Sequence, residues 1–149
     1  MKKKVTKIVA LILMMSLFLL QGCSLTTPET SHLVKVSEDG RTLTADLKAS
    51  TDDGYKWQYY FDTKIFAESS SNFTNNIFSN TYGSTYTYVA NDVGTGNFYL
   101  ILVQNDDYQN AKVFNYVLDA GNDNKISIQK EGNFVLGSDV KLYNQITGK

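Results

Sequence analysis

Few residues in this chain are of a type that does chemistry, and the first is Cys23, the sole cysteine. It closes the run Leu20-Gln21-Gly22-Cys23, behind lysines at 2, 3, 4 and 7 and an apolar stretch from Val9 to Leu20. That stretch has the length of a signal-peptide core and is short for a membrane span. Leu-Gln-Gly-Cys has the form of a bacterial lipobox, in which a diacylglyceryl group joins the cysteine thiol and the chain is cut just before it. The expectation is therefore a lipoprotein signal peptide over 1–22, a lipidated cysteine and tether over 23–31, and a folded domain over 32–149. Two acyl chains on Cys23 would anchor stably where one would not. The expected location is the extracytoplasmic face of the cell membrane.

The rest of the inventory argues against an enzyme. His32 is the one histidine and lies beside the tether, so no Ser-His-Asp or Cys-His set can be assembled. Zinc needs clustered histidine or cysteine. The run Asp119–Asn124 looks like part of a calcium loop, but it lacks alternating acids and has Lys130 where a twelfth-position glutamate belongs. A hairpin turn is the better reading. Asp52-Asp53 and Asp106-Asp107 could pair for acid–base work, yet adjacent carboxylates in polar loops are ordinarily just solvated. Gly94-Thr95-Gly96 sits between two strands with no following helix, so it is not a phosphate loop. No cofactor or metal is expected. Loss of the four signal lysines takes the formal charge from −1 to −5 (−1 less four). Acids and bases are scattered, so no nucleic-acid partner is expected.

The elements that must position these residues read as all-β. Roughly 115 residues follow the tether, enough for one domain with a core. No helical period is expected after the signal. Strands are expected at Leu33–Val36, Thr42–Lys48, Tyr55–Phe61, Ser84–Ala90, Asn97–Gln104, Lys112–Leu118 and Lys125–Gln129, with Gly, Asn and Asp clusters between them. Residues 69–83 read as a long loop with a short strand near Asn76–Phe78. Phe134–Leu136 and Val140–Tyr143 read as an added edge. Asn97–Gln104 is apolar on both faces and reads as a central strand. Seven or eight short strands predict a two-sheet sandwich. Gly54 at a loop end suits a positive φ, and Trp57 suits a plug between the sheets.

Residues 42–61 resemble the chagasin-like inhibitors of papain-type cysteine peptidases. In that family a strand runs into an Asn-Pro-Thr-Thr-Gly-Tyr loop, with a Trp two residues after the Tyr. Here Ser50-Thr51-Asp52-Asp53-Gly54-Tyr55 has that loop's length, with Gly54, Tyr55 and Trp57 in place. Tyr82-Gly83-Ser84 stands where the family has its Gly-rich loop. Gln104-Asn105-Asp106-Asp107-Tyr108 stands where the family has Arg-Pro-Trp, and it carries none of those three residues. The resemblance spans about residues 33–129. It implies an immunoglobulin-like domain without disulfides, acting as a reversible inhibitor whose loops at 49–55, 79–84 and 104–109 occlude a peptidase cleft. The implied contact residues are Ser50, Thr51, Asp52, Asp53, Gly54, Tyr55, Tyr82, Gly83, Ser84, Asn105, Asp106, Asp107 and Tyr108. The implied partner is a cysteine peptidase, met by a monomer held to the membrane through its lipid. The departures put carboxylates where the family presents small uncharged residues. They leave open a second reading, an envelope lipoprotein that binds a cell-wall or protein ligand and inhibits nothing.

Overall fold

Alternation of apolar and polar residues drives the central strands. Leu43, Ala45 and Leu47 are fully buried within Thr42–Ser50, while Thr44 and Asp46 face outward. The computed structural model describes residues 33–50, 52–76 and 80–149. The signal, Cys23, the tether and His32 lie outside the described residues, as does Thr51. Eight strands follow one another: β1 Val34–Val36, β2 Thr42–Ser50, β3 Tyr55–Phe61, β4 Phe66–Asn76, β5 Thr81–Ala90, β6 Gly94–Gln104, β7 Lys112–Ala120 and β8 Ile126–Val135. A 3-10 turn, Leu136–Ser138, leads into one helix, α1, over Val140–Thr147.

The strands form two four-stranded antiparallel sheets, ordered β1-β2-β5-β4 and β3-β6-β7-β8. Lettered in chain order these are A-B-E-D facing C-F-G, with β8 added beside G. That is the order of a constant-type immunoglobulin sandwich. Between the sheets lie Leu43, Leu47, Phe66, Tyr88, Phe98, Leu100, Phe114 and Leu118, among others. Burial of this kind contributes about 25 cal/mol per Å² of apolar surface and is the main force holding the two sheets together. Trp57 joins it at one end. Its ring lies 5.8 Å from Phe114, and its Nε1 donates to the Lys48 carbonyl of the opposite sheet at 2.9 Å.

Three expectations are corrected. Residues 69–76 are not loop but part of Phe66–Asn76, an eleven-residue strand paired along β5 with one register shift between Glu68 and Ser70, and Thr81–Gly83 begin β5; 77–79, where the short strand was expected to end, lie outside the described residues. Phe134 and Val135 belong to β8, and Val140–Tyr143 is helical, so no further edge exists there. A helix is therefore present where none was expected. Asp139 caps it by accepting from the Leu142 amide at 3.0 Å, and Gly148 ends it at φ 72°. Leu142, Tyr143 and Ile146 turn its apolar side onto the outer face of β6 and β7, over Ile101, Val103 and Val113. This second, smaller core is why β6 is apolar on both faces: one faces the opposite sheet and the other lies under α1.

Candidate functional site

Three connections meet at one end of the sandwich: β2 to β3, β4 to β5, and β6 to β7. The first turns at Asp52–Gly54. Gly54 takes φ +67°, and its carbonyl accepts from the Asn105 amide at 2.9 Å. A Cβ on Gly54 would stand 1.9 Å from the Asn105 Oδ1 atom, so only glycine allows the two turns to touch. Gln104 Nε2 adds a bond to the Asp53 carbonyl at 3.1 Å. Asn105 and Asp106 both adopt left-handed backbone, at φ 49° and 62°.

Asn80, just before β5, joins this end: its Nδ2 donates to the Asp52 carboxylate at 2.8 Å. Tyr82 sits half-buried behind this contact. Its hydroxyl accepts from the Trp57 amide at 3.0 Å and donates to the Tyr55 carbonyl at 3.4 Å. Burial raises the Tyr82 pKa, so its hydroxyl stays neutral and keeps its proton for that bond.

Charge at this end is organised in pairs. Lys56 forms an ion pair with Asp106, and its ammonium lies 5.4 Å over the Tyr108 ring. The hydrogen bond to Asp106 is the chief reason the Lys56 pKa is raised. Asp107 binds the Asn110 side chain at 2.8 Å and its amide at 3.2 Å, which lowers the carboxyl pKa. Both groups are exposed, so these pairs set geometry and contribute little stability. Tyr108 turns away from the tip: its hydroxyl accepts from Gln58 at 2.8 Å, and its ring packs beside Tyr143 and Ile146.

The residues singled out in the sequence thus divide. Asp52, Asn105, Asp106 and Asp107 form the exposed rim of this end, with Asp53 and Gly54 half-buried between them. Ser50 ends β2 behind them, and Tyr55 begins β3 packed against the main core. Tyr82, Gly83 and Ser84 are strand residues of β5, not a loop. Gly83 pairs with Lys48 and Thr74, and Ser84, 3% exposed, pairs with Leu47 and Phe73. The described residue that does reach the rim there is Asn80, just before β5. Sequence reasoning passed over Lys56 and Asn80. Lys56 lay between two residues of the motif, and only its position opposite the 104–108 turn gives it a role.

No protein-family model matches the chain, and no curated protein matches it significantly. Among solved structures it is similar to a crystal structure of the cysteine protease inhibitor EhICP2 from Entamoeba histolytica, with a TM-score of 0.39 and 15% identity. The matched region covers 44% of this chain and 64% of that one, so less than two thirds of the inhibitor is spanned. The fold assignment rests on the strand order above and not on that likeness.

Proposed function

We propose that this protein is a lipid-anchored inhibitor of papain-type cysteine peptidases, inserting its three-turn end into the peptidase cleft. The reading is supported above all by the bond between Asn105 N–H and the Gly54 carbonyl, which joins two turns fifty residues apart into one edge. A wedge inhibitor needs such an edge, because turns that arrive already ordered lose little entropy on binding. Gly54 lies in that edge with Tyr55 and Trp57 packed behind it, and these are the three residues shared with the chagasin-like family. Inhibition is steric and reversible, with no nucleophile contributed. Anchoring at Cys23 would hold the domain outside the cytoplasmic membrane, where secreted or surface peptidases are met.

The test is a titration of the soluble chain from Ser24 to Lys149 against papain and a cathepsin-L-like peptidase with a fluorogenic substrate. Competitive inhibition in the nanomolar to low-micromolar range is expected. Replacing Asp52 and Asp53 by Thr should tighten it, because a carboxylate buried beside the enzyme's thiolate is both desolvated and repelled. A folded protein that inhibits neither enzyme at high micromolar concentration overturns the proposal.

A further inference from the structure

The outer face of the β3-β6-β7-β8 sheet is only half covered by α1. Beyond the helix N-terminus the uncovered half forms a groove of about 760 Å³. Its floor includes Tyr60 and Tyr99, neighbours across β3 and β6. Their ring centroids lie 6.3 Å apart with planes inclined by 33°, a shallow aromatic platform rather than a packed pair. Tyr99 is braced from behind by Phe134, edge-on at 6.5 Å, whereas Tyr60 is 37% exposed.

Polar groups ring this platform, and several have nothing to bind. The side-chain amides of Asn97 on β6 and Gln145 on α1 line the groove, and neither has a partner among the described residues. Each can both donate and accept. Two carboxylates are held in fixed orientation by backbone amides, each through one oxygen: Asp62 by Lys64 at 3.0 Å and Asp139 by Leu142 at 3.0 Å. Their second oxygens remain available. The ammonium groups of Lys64 and Lys141 balance those two charges, so the groove carries no net charge.

This combination selects among ligand classes. A phosphate or nucleotide wants a surplus of positive charge, which the two aspartates cancel. An apolar ligand wants apolar walls, and the walls here are amides, hydroxyls and charges. A pyranose ring wants what is present. Its C–H face packs on an aromatic ring, and its equatorial hydroxyls each need a donor and an acceptor close by. The groove's volume is in the usual range for small-ligand sites. We infer that this groove binds a neutral oligosaccharide, stacked on Tyr60 and Tyr99 and hydrogen-bonded by Asn97 and Gln145. It lies on a different face from the three-turn end, so it stands or falls independently of peptidase inhibition.

The experiment is a two-dimensional amide NMR titration of the chain from Ser24 to Lys149 with cellotetraose, chitotetraose and maltotetraose, each to about 10 mM. With at least one sugar, the side-chain amides of Asn97 and Gln145 should shift together with backbone signals of residues 60–64 and 139–145. A dissociation constant of about 0.1–5 mM is expected. Tyr60→Ala should weaken it about fivefold or more while leaving the core signals in place, because Tyr60 belongs to neither buried core. Gln145→Ala, also exposed, should weaken it without altering the spectrum elsewhere. Shifts with none of the three sugars, shifts located elsewhere, or undiminished affinity in Tyr60→Ala would each overturn the assignment.

Discussion

Replacing Gly54 by Ala should damage the three-turn end in two separable ways. A non-glycine residue at φ +67° costs about 1–2 kcal/mol in backbone strain. The new methyl would also stand 1.9 Å from the Asn105 Oδ1 atom and 2.9 Å from its Cγ, so Asn105 must move. Moving it endangers the 2.9 Å bond from its amide to the Gly54 carbonyl, whose loss costs about 1 kcal/mol. The whole change should therefore destabilise by about 2–3 kcal/mol. Asn105→Gly supplies the control. Asn105 already sits at φ 49°, which glycine accepts, and glycine has no side chain to clash. In that background Gly54→Ala should cost only its strain, leaving a coupling of about 1 kcal/mol between the two sites. Urea unfolding of the four proteins, followed by Trp57 fluorescence, measures the cycle. Equal costs in both backgrounds would mean the turns are not locked through Asn105, and the preorganised edge behind the inhibitor proposal would go with them.

Three further outcomes follow from the core and its rim. Tyr88 is fully buried, and its hydroxyl has no hydrogen-bond partner among the described residues, so Tyr88→Phe should raise stability by about 1 kcal/mol, or the melting temperature by about 3–6 °C; a drop on calorimetry would show that the hydroxyl is satisfied. Burial pushes the phenols of Tyr59 and Tyr116 up to about 12, above the value of about 10 in an unfolded chain. The stability they contribute is therefore whole below pH 10 and lost as pH rises from 10 through 12, and a urea midpoint unchanged across that window, with tyrosinate absorbance already developed, would refute the assignment. Asp139→Ala should remove the cap of α1 at about 1 kcal/mol and speed amide exchange in residues 140–147, leaving the exchange of β2 and β6 unaltered.

What the sequence made legible follows from what each element depends on. β2 and β3 were readable because their apolar residues face one core and alternate accordingly, and β6 because it is apolar on both faces. β4 was not, because Ser69-Ser70-Ser71-Asn72 carries no such signal; it is a strand only because β5 lies alongside to pair with it. α1 is two turns long, too short for Leu142, Tyr143 and Ile146 to declare a period, so its caps Asp139 and Gly148 went unread as well. At the candidate site, Gly54 and Trp57 were readable because their constraints are local. The approach of Asn105 to Gly54, and of Asp106 to Lys56, depends on sheet register and leaves no mark in either segment. The saccharide groove was hidden for the same reason, since Tyr60 and Tyr99 become a platform only when β3 pairs with β6.

Both proposed surfaces are built on the two ends of one strand. β6 offers Asn97 and Tyr99 to the groove and Gln104, with Asn105 just past its end, to the three-turn end, about 17–26 Å away at the rise of a β-strand. Between those ends it is buried on both faces, by Phe98, Leu100 and Leu102 on one side and Ile101 and Val103 on the other. A strand so enclosed fixes positions and has no second arrangement to switch into, so it cannot carry a signal from one surface to the other. The one element that touches both surfaces and is held mainly along one face is α1. Asp139 and Leu142 line the groove, while Tyr143 and Ile146 stand beside Tyr108 at the other end. Any dependence of peptidase binding on sugar must therefore run through the seating of α1, and Ile146→Ala, which loosens that seating from outside the groove, should abolish the dependence while the sandwich itself stays intact.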